Sequence, residues 1–152
     1  MTKPPDLRVV NAGEAKQAPR PPLRILIADD ERDTASVLAA ILRDEGHEAH
    51  MVLRGDEVLE MDRLVRPDVV ILDINMPGMS GFAVAREIRA RRGVAAPLLV
   101  AISGKWTRKE DQELGEGIGF DHYLLKPCEP RQLTDLLTAF QHQHQPGKTT
   151  SA

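Results

Sequence analysis

The chain has 152 residues, of which 41% are apolar and 28% are charged, and this suits one compact domain with some length left for tails. Its formal net charge of -3 offers no basic surface for nucleic-acid phosphates or anionic lipid, so direct nucleic-acid binding is not expected. No apolar run approaches the roughly twenty residues that cross a bilayer, and Cys128 is the only cysteine. These features predict a cytoplasmic protein with no membrane insertion, no intramolecular disulfide and no secretion signal.

The first part of the chain is rich in proline and polar residues, which predicts a flexible leader over residues 1–22. From Leu23 onward, short apolar runs alternate with amphipathic stretches, as in a parallel sheet covered by helices. Most of these runs are too uniformly apolar for strands that are buried on one face only. The predicted strands cover residues 23–28, 49–53, 69–72, 98–102 and 123–125.

Five helices are predicted to connect and follow these strands. Four of them carry apolar residues at helical spacing, namely Val37, Leu38, Ile41 and Leu42; Val58, Met61 and Val65; Val84 and Ile88; and Leu133, Leu136, Leu137 and Phe140. Gly46 is expected to follow the first helix, Ser80 to cap the third, and Glu129 to begin the last. The fourth helix, over 107–117, has weak support because several glycines lie around its end. One domain is therefore expected over 23–145, with a flexible tail over 146–152.

Chemically reactive side chains lie where the predicted strands end. Asp29 and Asp30 follow the first strand, Asp73 the third, Ser103 the fourth and Lys126 the fifth. In open parallel sheets these carboxyl ends meet at one edge, so the five side chains should lie together. Three clustered carboxylates repel each other unless a cation is present, and an all-oxygen cluster favours Mg²⁺. A lysine and a hydroxyl could bind phosphoryl oxygens there, so Asp73 is the candidate nucleophile for an aspartyl phosphate.

Four segments of the chain resemble the signature segments of response-regulator receiver domains. They read LRILIADDE, VVILDINMPGMSG, LLVAISG and HYLLKP, and the resemblance extends from Leu23 to about Gln141. The segments occur in the family's order and with similar separations. The resemblance implies a flavodoxin-like, doubly wound sheet of five parallel strands with five helices. It also implies that Asp73 is the phosphoacceptor and Mg²⁺ the cofactor.

The same resemblance assigns the metal ligands and the residues that contact the phosphoryl group. It implies that Asp30 binds Mg²⁺ directly, Asp29 through water and Asn75 through its backbone carbonyl, while Asp73 supplies a further ligand. Ser103 and Lys126 would contact the phosphoryl oxygens.

Two further residues are expected to act around this centre. By the resemblance, Tyr123 matches an aromatic switch residue that moves inward when the hydroxyl of Ser103 is drawn to the phosphate. Lys105 stands two residues beyond Ser103 and is expected to modulate how long the phosphate survives. Ser103 replaces a threonine that is frequent in the family, and Cys128 replaces a phenylalanine often found there.

The function implied is a phosphoacceptor of a two-component or phosphorelay pathway. A sensor histidine kinase or a histidine phosphotransfer protein would donate the phosphoryl group, and a downstream effector protein would receive the signal by contact or by onward phosphotransfer. The protein would catalyse only its own phosphorylation and slow dephosphorylation. A haloacid-dehalogenase-type phosphohydrolase is the main alternative, but it needs an acid where this chain has Asn75. A phosphate-independent scaffold is the second, although such proteins often lose the acidic or lysine positions that are present here.

Overall fold

A computed structural model of the protein describes residues 21–104 and 119–143. The strands are β1 (Arg24–Ala28), β2 (Glu48–Val52), β3 (Val69–Asp73), β4 (Leu98–Ser103) and β5 (His122–Leu125). The described helices are α1 (Arg32–Asp44), α2 (Gly55–Val65), α3 (Gly81–Arg92) and α4 (Pro130–Gln143), and a short 3₁₀ helix covers Gly93–Ala95. Every predicted strand is present, and its ends lie within about one residue of the predicted ones.

The five strands form one sheet in the order β2-β1-β3-β4-β5, and every neighbouring pair is parallel. The chain therefore moves to one side of β1 for β2 and to the other side for β3 and the strands beyond. This reversal opens a crevice at the carboxyl ends of β1 and β3, which is where open α/β sheets bind their ligands. The predicted doubly wound fold is confirmed.

Helices cover both faces of the sheet, which explains why its central strands are apolar throughout. Val70 and Leu72 of β3 pack into the core beneath α2 and α3. Val69 and Ile71, which point to the opposite face, pack into the core beneath α1 and α4. All four side chains are essentially inaccessible to solvent. Because both faces are covered, the strands show continuous apolar runs rather than alternation.

The ends of the helices follow local rules that the sequence shows. The Ser80 hydroxyl accepts a hydrogen bond from the Ala83 N–H at 3.2 Å, so the predicted cap of α3 is confirmed. α2 ends at Val65, and the next residue, Arg66, adopts a left-handed conformation with φ of 53° before Pro67. Gly46 follows α1 with φ of 97°, a conformation that glycine accepts at no steric cost.

Some expectations need correction or lie outside the described residues. In α1, Leu38 and Leu42 are buried, but Val37 is 58% exposed, so it does not belong to the core. The helix predicted over 107–117 lies outside the described residues, as does the tail over 146–152. Of the leader, only residues 21 and 22 are described, and both are exposed. Among the described residues, no helix is long and apolar enough to cross a membrane.

Candidate functional site

Three carboxylates meet in the crevice at the carboxyl ends of β1 and β3. Asp29 and Asp30 directly follow β1, and Asp73 is the last residue of β3. Each contributes an oxygen that lies within 4.8 Å of the others. Asp29 and Asp73 are buried, with 3% and 6% of their surface exposed, whereas Asp30 is exposed. The clustering predicted from the strand ends is therefore present.

The ammonium group of Lys126 compensates part of this negative charge. Its Nζ lies 2.9 Å from Asp29 Oδ2 and 3.4 Å from Asp73 Oδ2. A third carboxylate, that of Glu31, lies 3.5 Å from the same nitrogen. The lysine follows β5, and its backbone N–H donates to the Ser103 carbonyl oxygen at 3.1 Å. That bond extends the pairing of β4 with β5 and fixes where the long side chain starts.

The surroundings shift the acid strength of two of these groups. Burial, with a contribution from the charge of Asp29, raises the pKa of Asp73 from 3.8 to about 6. The Asn75 N–H and Lys126 act in the opposite direction but do not cancel this rise. For Lys126, burial alone would lower the pKa, but the hydrogen bond to Asp29 and the nearby carboxylate charges outweigh it and raise the pKa. Asp73 is thus a buried acid with incomplete charge compensation.

Backbone N–H groups hold two of the carboxylates in place. The Asn75 N–H donates to Asp73 Oδ1 at 3.2 Å, and the Glu31 N–H donates to Asp29 Oδ1 at 2.9 Å. Each donor stands two residues after its acceptor, a local turn in which aspartate bonds the backbone that follows it. These bonds orient Asp29 and Asp73 without using the oxygens that contact Lys126.

Ser103 lies on β4, the strand next to β3, and Tyr123 lies on β5, one strand further from the carboxylate cluster. Ser103 is the last residue of β4 and is buried, with 1% of its surface exposed. Asp73 pairs with Ile102 in the sheet, so Ser103 stands one residue further toward the carboxyl edge. Tyr123 is half-buried on β5, and its ring meets that of Phe120 edge-on at 5.7 Å between centroids. Lys105 lies outside the described residues.

The family model of the response regulator receiver domain matches residues 25–138. The chain belongs to this family. The DNA-binding response regulator MtrA of Mycobacterium tuberculosis is 39% identical over 110 residues, which are 72% of this chain and 46% of MtrA. MtrA of Mycobacterium leprae is also 39% identical over 110 residues and is covered to 47%. The receiver domain thus spans about half the length of these relatives.

Solved structures agree with this assignment. The chemotaxis response regulator CheY4 of Vibrio cholerae superposes with a TM-score of 0.72 at 27% identity, over 78% of this chain and 98% of CheY4. A CheY-like receiver domain protein from Methanospirillum hungatei superposes with a TM-score of 0.74 at 24% identity, over 81% of this chain and 96% of that protein. At this identity, the second likeness concerns the fold alone.

The donor set of this receiver domain fits a hard divalent cation. The atoms that converge are carboxylate oxygens, with no sulfur or imidazole ligand among them, which is the chemistry that Mg²⁺ prefers. A cation there would also offset the repulsion that contributes to the raised pKa of Asp73. For Asn75, the structure gives the N–H contact with Asp73, and the ligand role of its carbonyl stays a prediction.

Glu31 is the residue of this site that the sequence reading missed. Its carboxylate accepts a hydrogen bond from the Thr34 hydroxyl at 3.0 Å and faces Lys126. The hydrogen bond from Thr34, and to a smaller extent the charge of Lys126, lowers the pKa of Glu31. Its position in the sequence was the available signal. Glu31 directly follows Asp29 and Asp30 and directly precedes α1, so its side chain stays near the sheet edge.

Proposed function

We propose that this receiver domain accepts a phosphoryl group from a phosphohistidine onto Asp73 and signals in that state through a protein partner. The observation that carries the proposal is the environment of Asp73. Its buried carboxylate lies 3.4 Å from the Lys126 ammonium and within 4.8 Å of two further carboxylates. This arrangement combines an oxygen nucleophile, a cation for the transferring oxygens and a donor set for Mg²⁺.

In the transfer, an Asp73 oxygen forms a bond to phosphorus while the bond from phosphorus to the histidine nitrogen breaks. The electron pair of that bond leaves with the imidazole, which takes a proton from solvent. Bound Mg²⁺ would supply positive charge for the phosphoryl oxygens, with Asp29, Asp30, Asp73 and the Asn75 carbonyl holding it. The Asn75 N–H keeps Asp73 oriented while its other oxygen reacts.

Lys126 and Ser103 would then contact the oxygens of the phosphoryl group on Asp73. Lys126 is within reach because it contacts Asp73 already, and Ser103 ends the neighbouring strand. We further propose that Ser103 and Tyr123 form the switch and that Lys105 modulates hydrolysis of the aspartyl phosphate. These roles rest on the family's pattern, and a Lys105→Glu variant with an altered rate of dephosphorylation would support the last of them.

A protein donor has a surface to bind beside the site. An apolar depression of about 610 Å³ adjoins the carboxylate cluster, and its lining includes Val37, Ile41, Pro127 and Cys128 together with Lys126. The exposure of Val37 is explained if this surface is covered in a complex. A histidine kinase or a histidine phosphotransfer protein would bring its phosphohistidine to Asp73 there.

The output is proposed to pass by protein contact or onward phosphotransfer. The mycobacterial relatives are named as DNA-binding regulators, but this chain matches only about half of their length. The chain has a formal net charge of -3, so we propose that it does not bind nucleic acid directly.

The test is intact-mass analysis after incubation with acetyl phosphate. The parent protein should gain one phosphoryl group in the presence of Mg²⁺ and none in excess EDTA, and Asp73→Asn should gain none. Asp33→Asn is the matched control, because Asp33 is an exposed carboxylate in the first turn of α1, and this variant should be labelled normally. Equal labelling of Asp73→Asn and parent would refute the proposed function. Turnover of small phosphate esters by the parent protein would favour the phosphohydrolase alternative instead.

A further inference from the structure

Glu31 lies beside the proposed phosphoacceptor site, but the proposed phosphoryl transfer gives its side chain no role. It is exposed at the mouth of the carboxylate cluster, with 64% of the side-chain surface accessible. The Thr34 hydroxyl donates to its Oε1 at 3.0 Å, and the same oxygen lies 3.5 Å from Lys126 Nζ. This long, exposed side chain thus contacts both Thr34 and the lysine of the site.

We infer that Glu31 is a positioning residue that competes with incoming phosphoryl oxygens for Lys126. This inference rests on the proposed function, since it concerns how readily Asp73 acquires phosphate. In the unphosphorylated domain the lysine is shared by Asp29, Asp73 and Glu31. Of these, Asp29 is buried and held by a backbone N–H, whereas Glu31 can turn toward solvent.

The competition follows from the charges at the mouth of the site. The phosphoryl oxygens of an anionic donor need the ammonium group that Glu31 partly neutralises, and the Glu31 carboxylate adds negative charge beside that group. The same negative charge helps to attract a divalent cation. Glu31 should therefore slow the reaction with anionic donors while it strengthens Mg²⁺ binding. A substitution that merely damaged the site would weaken both phosphorylation and Mg²⁺ binding. Faster phosphorylation together with weaker Mg²⁺ binding therefore identifies the proposed role of Glu31.

The experiment compares the parent protein, Glu31→Gln and Asp33→Asn. The first variant keeps the size of the side chain and removes its charge. The second removes an equal charge in the same turn of α1 from a residue that makes no ion pair within the described ranges. Phosphorylation by acetyl phosphate is followed by intact mass, and Mg²⁺ affinity by amide NMR shifts. A fluorine NMR titration gives the affinity for beryllofluoride, which mimics the bound phosphoryl group without chemistry.

Glu31→Gln should react about threefold faster with acetyl phosphate at low salt, bind beryllofluoride about threefold more tightly and bind Mg²⁺ about twofold more weakly. The gain in rate should shrink as NaCl is raised, because the interaction is exposed and screened. Asp33→Asn should match the parent in all three measurements. The inference is overturned if Glu31→Gln matches the parent, if its affinities for Mg²⁺ and beryllofluoride fall together, or if Asp33→Asn changes equally. A parent protein that takes up neither phosphate nor beryllofluoride would instead refute the proposed function, and a changed Mg²⁺ affinity in Glu31→Gln would still report the charge of Glu31.

Discussion

Replacing Asp73 with asparagine should stabilise the protein against unfolding near neutral pH when no divalent cation is present. Burial and the charge of Asp29 raise the pKa of Asp73 to about 6 in the folded protein, compared with an ordinary value of 3.8. A carboxyl with a raised folded-state pKa contributes its full stability below the unfolded value and loses it as the pH rises through the folded value. The unfavourable effect of ionised Asp73 therefore develops between pH 3.8 and about 6.

The size of the effect follows from that pKa. At about 1.4 kcal/mol for each tenfold change in the acid constant, the rise corresponds to roughly 3 kcal/mol above pH 7. The attraction of Lys126 at 3.4 Å is already included in this pKa, but the crevice is open to water beside exposed Asp30, and water weakens the effect. We therefore expect a net gain of about 1–2 kcal/mol in the free energy of unfolding.

Urea unfolding in EDTA at pH 7.5 and at pH 5.0 measures this gain. The advantage of Asp73→Asn over the parent should be largest at pH 7.5 and should fall by about half at pH 5.0, which lies about midway between the unfolded and folded pKa values, because unfolded Asp73 is still ionised there. Millimolar Mg²⁺ should reduce this advantage at pH 7.5, because the proposed site would bind the cation only in the folded parent. Asp33→Asn serves as the control and should change the stability by less than about 0.5 kcal/mol. A destabilised Asp73→Asn protein, or a gain that is independent of pH, would refute the reasoning.

Three further predictions concern the rest of the fold. Asp62 and Arg92 form a buried ion pair of 2.7 Å between α2 and α3, so Asp62→Ala should cost about 3–5 kcal/mol in urea unfolding, and the Asp62→Leu/Arg92→Met double variant much less. Equal losses in the single and double variants would contradict this. A Cβ at Gly55 would collide with the Met79 carbonyl oxygen in the loop that follows β3. Gly55→Ala should therefore lower the free energy of unfolding by about 3 kcal/mol and weaken Mg²⁺ binding in an NMR titration. If both quantities match those of the parent protein, the loop adapts freely to the added methyl group. Burial lowers the pKa of His47, whose Nδ1 accepts a hydrogen bond from the Leu23 N–H just before β1. Protonation of His47 should therefore lower the free energy of unfolding by about 1 kcal/mol as the pH falls below 6.5, the ordinary pKa of histidine. Urea unfolding at pH 7.5 and 5.5 should show that His47→Gln lacks this loss of stability. If the variant has the same pH dependence as the parent, His47 is not its source.

The sheet could be predicted from the sequence because a strand that is buried on both faces consists of apolar residues throughout. Val69 to Leu72 form an unbroken apolar run, and this run is the central strand. The cluster of Asp29, Asp30 and Asp73 could be predicted for a related reason. Parallel strands bring their carboxyl ends to one edge, so residues far apart in the chain become neighbours through topology alone.

Other features depend on contacts that a one-dimensional pattern does not contain. Val37 has helical spacing to Ile41 but points away from the buried face of α1 that carries Leu38 and Leu42, so it stays exposed. Asp62 and Arg92 look like ordinary polar residues of two helices, and only the packing of α2 on α3 buries them together. The close approach of Gly55 to the loop after β3 is likewise a property of the folded backbone.

The charges of two buried acids of this domain are compensated in different ways, and the difference supports the proposed role of Asp73. Asp62 has an arginine to itself at 2.7 Å, which suits a permanent contact between helices. Asp73 shares its lysine with two other carboxylates and is not the closest of them, since Lys126 lies nearer to Asp29. The compensation of Asp73 is therefore partial in the unmodified protein, and the raised pKa reflects this. A site of this kind would gain stability if it bound a cation and a phosphoryl group, because these ligands would supply the charge and the contacts that the fold leaves incomplete.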